Sequence, residues 1–267
     1  MPIFAALSPD LTIKNSVCIN NINIYPYLIA EIIDLLQAQQ NLCQSQQQTI
    51  MNRHPLNPNL RLTDASSYSG LPIQNTHGPM IDNFLGSSYR CFERTIEQYS
   101  RVSMLRFDLH LPEHCGNCTL LDNTVLDRFF SSLKAKITHA QRQSRESGHR
   151  VHETEVRYLW AREISATGRV HYHIALLLNH DAYAHFGQYD LASSNIYSRI
   201  HQAWASALHM CDMDVLGLIH IPENAIYFIK RHDKSSLEEA FHRASYLCKA
   251  DSKDFQKKFH CFGSSRI

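Results

Sequence analysis

The sequence predicts an α+β fold for residues 101–267, an antiparallel sheet with helices packed on it. Three observations carry that prediction. Apolar residues alternate in short runs at 102–111, 155–164 and 169–179, segments with helical spacing separate or follow them, and a glycine-closed turn joins the last two runs as a hairpin. With 44% hydrophobic residues in 267, the chain lies outside the disordered class and can build one large or two modest domains.

Residues 25–42 place Leu28, Ile29, Ile32, Leu35 and Leu36 at helical spacing, and a Gln-rich stretch from Gln37 to Gln48 follows as a polar helix end or linker. Four prolines between 50 and 80, set among Asn, Ser and Gly, predict loops. A second helix is expected at 80–98 through Ile81, Leu85, Tyr89 and Phe92, with Gly86 as its weak point. Residues 1–100 thus read as a mainly helical, loop-rich N-terminal extension without a cluster of catalytic type. From residue 101 the pattern changes. Leu105, Phe107 and Leu109 point to one side of a strand while Arg106, Asp108 and His110 point to the other, which predicts a half-buried strand. A helix at 124–145 buries Val125, Phe129, Leu133 and Ile137 and shows Lys134, Lys136, Arg142 and Arg145 on its other face. After the hairpin come a helix at 195–209, a strand at 214–221 ended by Pro222, a strand or buried helix at 225–229, and a last helix at 236–250. That order suggests helices on one face of the sheet, in a ferredoxin-like sandwich.

Lys and Arg sum to 26 and Asp and Glu to 25, a balance that excludes a strongly basic coat for nucleic acid and an acidic solvating tail. No apolar run approaches the ~18 residues of a membrane span, and residues 1–10 lack a signal-peptide pattern, so a soluble cytoplasmic protein with reduced thiols is expected. Cys115 and Cys118, beside His114, have the spacing of half a zinc site, but no second pair follows. Of the 17 histidines, only His54 and His77 fall in the first 100 residues. The rest point to metal, phosphate or proton chemistry in the C-terminal part.

The most informative segment runs from Arg169 to Asn179. On a strand, Val170, Tyr172, Ile174, Leu176 and Leu178 form an apolar face, and His171 and His173 share the opposite one, two imidazoles directed into one space. A three-residue loop Ala166-Thr167-Gly168 prefers glycine at its left-handed last position and pairs Ser165 with Arg169. Counting back, Glu163 then faces His171, with Cβ atoms roughly 4.5–5.5 Å apart. A two-residue loop would bring Arg162 or Ile164 there instead. Glu163, His171 and His173 are therefore the candidate metal ligands, a donor set that suits Mn, Zn or Fe.

On the last helix Leu237, Ala240, Phe241, Ala244, Leu247 and Cys248 cluster on one stripe, and Tyr246 falls near the opposite pole with Lys249 and His242 close by. A tyrosine off the core stripe with a lysine three positions on is a candidate nucleophile. Next to a metal trio it points to phosphodiester chemistry, in which the phenolate attacks phosphorus and Lys249 steadies the charge.

These residues resemble a known superfamily. His171-Tyr172-His173 is similar to the two-histidine motif of HUH endonucleases, and Tyr246-Leu247-Cys248-Lys249 to their tyrosine motif. Residues 104–111, MLRFDLHL, resemble the first-strand motif of rolling-circle replication initiators. The stretch GRVHYHIALLLN, the helix with Trp204, HIPEN at 220–224 and the closing FGSSR narrow the resemblance to the gene-two replication initiators of filamentous phages (inoviruses) and their prophage relatives. The resemblance covers residues 101–267 and, less surely, 50–100. It implies an HUH-type nicking domain that uses Mg or Mn to cut one strand of a single-stranded or supercoiled origin, keeps the 5′ end on Tyr246, and works with a host helicase and polymerase but no membrane. Arg106, Arg169 and His242 are then the expected DNA contacts, with Lys134, Lys136, Arg142 and Arg145 as further candidates. The sequence departs from the family pattern at Tyr172, where an aliphatic residue is usual. Tyr172 points to the apolar face, so packing is expected of it. No G-x-x-x-x-G-K-[ST] motif is present, so no fused helicase is expected. Two rival readings remain, an idle DNA-binding protein of the same fold and a two-histidine, one-carboxylate iron oxygenase. The second leaves Tyr246 and Lys249 without a role.

Overall fold

The computed structural model describes residues 35–39, 53–112, 123–165, 167–253, 255 and 259–265, and the chain divides into two compact units between Met51 and Asn52. In the first unit, residues 35–39 are helical (α1), inside the span predicted at 25–42. His114, Cys115 and Cys118 lie outside the described residues, and with them the expected half zinc site.

The second unit is α+β. Its main sheet joins β6 (Arg101–His110), β7 (Arg157–Ile164), β8 (Val170–Asn179), β10 (Ile226–Lys230) and β11 (Phe262–Ser264) in the order β10-β6-β8-β7-β11, and the short β9 (Ile219–His220) also pairs with β6. Every pairing is antiparallel. β9 and β10 follow one another along the same side of β6, and Ala225 O and Leu218 O accept from Arg106 N and His110 N to continue the ladder. A second small sheet is built from β1 (Arg53–His54), β2 (Asn57–Thr63) and β5 (Met80–Ile81), and β3 (Ser67–Tyr68) pairs with β4 (Leu71–Pro72).

Helices cover both faces of the main sheet, not one. On the first face Leu105, Phe107, Leu109, Tyr172, Ile174, Leu176 and Leu178 meet α3 (Thr124–Glu146) and α4 (Ile196–Leu208) through Phe129, Leu133, Ile200 and Trp204. On the second, Val102, Met104, Leu159, Ala161, Ala175 and Leu177 meet α2 (Asp82–Gln98) and α5 (Lys234–Ser245) through Leu85, Phe92, Ala240, Phe241 and Ala244. β6 is therefore buried on both sides from Val102 to Leu109, where its alternation predicted a half-buried strand. The expected boundary at residue 100 shifts for the same reason, because the apolar stripe of α2 belongs to the core of this unit.

Gly86 lies inside α2 because Tyr68 approaches the helix there, and a Cβ would stand 2.9 Å from its hydroxyl. Asn195 and Asp233 cap α4 and α5 by accepting from Ser198 N and Ser236 N. The expected strand at 214–221 is instead a 3₁₀ turn at Asp212–Val215 followed by β9, 225–229 resolves as strand β10, and β11 was not anticipated. Tyr172 packs as expected, fully buried and edge-on to Trp160 and Trp204. Trp204 also meets Phe129 edge-on and donates its indole N–H to His110 O at 3.2 Å. Trp204→Ala is expected to destabilise the unit by about 3–5 kcal/mol, read as a shift of the urea unfolding midpoint.

Candidate active site

The β7–β8 hairpin sets the first contacts. Gly168 takes φ +78° and donates to Ser165 O, while Ser165 N donates to Arg169 O at 2.9 Å. The loop is thus the three-residue form, and Glu163 lies directly opposite His171 in the register. His171 Nε2 and His173 Nε2 stand 3.2 Å apart, and His173 Nε2 lies 3.3 Å from Glu163 Oε2. Ligands at about 2.1 Å from one ion are separated by roughly 3.0–3.4 Å at neighbouring octahedral or tetrahedral corners. With donor atoms all within 4.8 Å of one another, the trio fits a single divalent cation.

Asp108, on neighbouring β6, pairs directly with His173 and its Oδ1 accepts from His173 Nδ1 at 2.5 Å. With Nδ1 engaged by Asp108, Nε2 is the nitrogen that faces Glu163 and His171, the carboxylate–histidine arrangement that orients a ligand imidazole. Burial pushes the Asp108 carboxyl up, but the His173 hydrogen bond and the charges of His173 and Arg106 outweigh it and bring it down to about 2. Glu163 behaves likewise. Burial works against its charge, and His173, Lys253 and Ser252 hold it well below the usual carboxylate range.

Tyr246 stands over this trio. α5 ends at Ser245, and Tyr246–Cys248 forms a 3₁₀ turn rather than continuing the predicted helix to 250. Side chains three apart nearly eclipse in such a turn, so Lys249 Nζ reaches Tyr246 Oη at 2.6 Å and also Glu163 Oε2 at 3.1 Å. The Tyr246 ring meets His173 and His77 edge-on, at 5.7 and 5.3 Å between centroids. Burial opposes the Lys249 charge, but the Tyr246 hydrogen bond and Glu163 outweigh it, so its pKa is raised and the ammonium persists at neutral pH. Residues before 100 hold this turn in place. Met80 bridges to Lys249, Pro79 O accepts from Ala250 N, and Ser245 Oγ accepts from Gln74 N. Beyond the turn, Ser252 Oγ donates to Glu163 Oε2 at 2.7 Å and Lys253 Nζ lies 3.0 Å from Glu163 Oε1.

The expected DNA contacts separate. Arg106 is only 1% exposed; its guanidinium donates to Ile174 O at 2.6 Å and lies 3.7 Å from Asp108. It is a buried support of the site rather than a surface contact, because α2 and α5 cover the face that the sequence left open. Arg169 is exposed and lines an open cleft of about 580 Å³ with Asp108, His110, His171, His173 and His220. His242 is exposed one turn before Tyr246. Lys134, Lys136, Arg142 and Arg145 sit on α3, across the sheet from the trio, and Arg142 and Arg145 pair with Glu146 and Glu153.

Residues 63–265 match the YagK/YfjJ C-terminal domain. The chain belongs to that family. It is 33% identical over 203 residues to the uncharacterized protein YagK of Escherichia coli (strain K12), covering 73% of this chain and 97% of YagK. To the uncharacterized protein YfjJ of the same strain it is 30% identical over 184 residues, 64% of this chain and 88% of YfjJ. No solved structure matches the chain with significance. Among the described residues of this YagK/YfjJ domain, no helix is long and apolar enough to cross a membrane.

Sequence reading missed Asp108, His77, Ser252 and Lys253, although Asp108 carried a signal in sharing a strand face with His110. The domain's buried groups also fix its acid response. Burial lowers the pKa of His54, His110, His171, His180 and His201 below 6.5, and neither ring nitrogen of His201 has a hydrogen-bond partner among the described residues. Below about 6.5 the unfolded chain gains protons that these folded histidines resist, so stability falls as pH drops. The lowered carboxyls of Asp108 and Glu163 lose their contribution further down, as pH falls from about 4.5. Urea melts of the chelated protein at about pH 7.5, 6 and 5 are expected to show midpoints falling in that order, with the first fall reduced in His201→Leu.

Proposed function

We propose that this protein is a divalent-metal-dependent nicking and joining endonuclease acting on one DNA strand through Tyr246, as the resemblance to HUH-type rolling-circle initiators implies. The observation that carries this reading is one continuous set of contacts, from Tyr246 Oη through Lys249 to Glu163 and from there to His173 and His171. An oxygenase would need the trio but gives Tyr246 and Lys249 nothing to do. The antiparallel sheet order, with both histidines on a central strand and the tyrosine following a helix on the same face, supports the HUH comparison.

Bound at the trio, Mg or Mn would polarise the scissile phosphate and neutralise charge that develops on it. Tyr246 Oη forms the new bond to phosphorus, the phenolic proton leaves to solvent, and the O3′–P bond breaks as O3′ takes up a proton from solvent to become a free 3′-hydroxyl. The 5′ phosphate remains on Tyr246 as an ester, so the reverse attack rejoins the strand. Lys249 stays protonated and stabilises charge on the attacking oxygen and the phosphate. Asp108 holds His173 in register, and Arg169 at the cleft mouth is a phosphate contact for the incoming strand.

The test is incubation of the protein with labelled single strands of candidate origins, together with Mg or Mn. A covalent protein–DNA adduct and a free 3′ end support nicking. Retention of the DNA without an adduct, in either metal, would leave an origin-binding protein of the same fold.

A further inference from the structure

Lys253 is not part of the nucleophile's contacts, yet its ammonium is the second to rest on the carboxylate that completes the trio. Its side chain is 0% exposed and Nζ lies 3.0 Å from Glu163 Oε1. The two carboxylate oxygens have different neighbours. Oε2 faces His173 Nε2 at 3.3 Å and receives Lys249 and Ser252, whereas Oε1 meets Lys253. Lys253 thus turns Glu163 so that Oε2 completes the trio, and in doing so places a fixed positive charge beside the cation's position. Ser252 N–Cα is held at φ +60°, and Ile164 N donates to Ser252 O at 3.0 Å, so β7 itself fixes the segment that carries Lys253.

The neighbouring charges point the same way. Among the described residues, Asp108 and Glu163 are the buried carboxylates of this pocket, while Arg106, Lys249 and Lys253 are its buried cations. Among the described residues the buried charges of the pocket therefore sum to a positive value before any divalent ion enters, and a low local dielectric strengthens the repulsion.

We infer that Lys253 is a positioning residue that orients Glu163 and holds down the resting affinity of the trio for divalent cations, so that tight loading awaits the negative charge of a bound phosphodiester. This rests on the reading of Glu163, His171 and His173 as a cation site.

The experiment titrates Mn²⁺ alone into the full-length protein and into Lys253→Met and Lys253→Gln, by calorimetry and by paramagnetic resonance of the free ion. His173→Ala serves as the blank for binding elsewhere, and melts confirm folding. Met keeps the length without charge; Gln keeps a donor without charge, and serves if Met does not fold. Both variants are expected to bind Mn²⁺ at least about tenfold more tightly than the parent protein. A short single-stranded oligonucleotide is expected to raise Mn²⁺ affinity more in the parent than in either variant. Unchanged or weaker binding in the variants would show that Lys253 only props the carboxylate, and would overturn the proposal while leaving the cation site intact. If neither the parent nor a variant binds Mn²⁺ above the His173→Ala blank, the cation reading of the trio falls, and this inference with it.

Discussion

Tyr246→Phe is expected to abolish the covalent protein–DNA adduct, a loss of at least about a thousandfold, because the substitution removes the oxygen proposed to bond to phosphorus. The change is otherwise conservative. The Tyr246 ring packs edge-on against His173 and His77, contacts that phenylalanine keeps. The lost hydroxyl leaves Lys249 paired with Glu163, so the fold should melt within a few degrees of the parent. DNA retention should survive for the same reason, since neither Arg169 nor the cleft changes. An adduct that persists in this variant would mean that another group is the nucleophile.

His173→Ala has the second largest expected effect. His173 is the central member of the trio, with Nε2 next to both His171 Nε2 and Glu163 Oε2 and with Nδ1 on Asp108. Its removal takes away one of the three proposed ligands and also the partner that keeps the Asp108 carboxyl low. Mn²⁺ affinity is expected to fall at least about a hundredfold, beyond the 10- to 100-fold that losing a supporting partner alone typically costs. Adduct formation should fall with it at any fixed metal concentration and recover partly as Mn²⁺ is raised. An unchanged adduct yield in saturating chelator would remove the cation from the account.

Local rules made part of this site legible and missed the rest for identifiable reasons. Glu163 was found by counting back from Gly168, because hairpin register is fixed by loop length and the alternation of side chains does the rest. Asp108 was visible as a polar residue on β6, but its place opposite His173 depends on β6 pairing with β8, a non-local choice that no turn dictates. Arg106 was misplaced by the same strand. Its alternation suggested one wet face, and only the packing of α2 and α5 over that face shows it to be buried. The stripe on the last helix placed Tyr246 off the fully buried positions and Lys249 beside it, but the ring is half-buried against the core rather than apart from it, and the helix gives way to a 3₁₀ turn at Tyr246. His77, Ser252 and Lys253 come from loops and turns, whose side chains carry no periodicity from which a position can be read.

The proposed chemistry joins a DNA strand to one particular oxygen. Its most direct measurement is mass spectrometry of the peptides released by proteolysis after reaction with a cleavable single strand and Mn²⁺. A nucleotide 5′-phosphate is expected on the peptide containing Tyr246, esterified at its phenol. A phosphate on any other side chain, or cleaved DNA with no modified peptide, would contradict it.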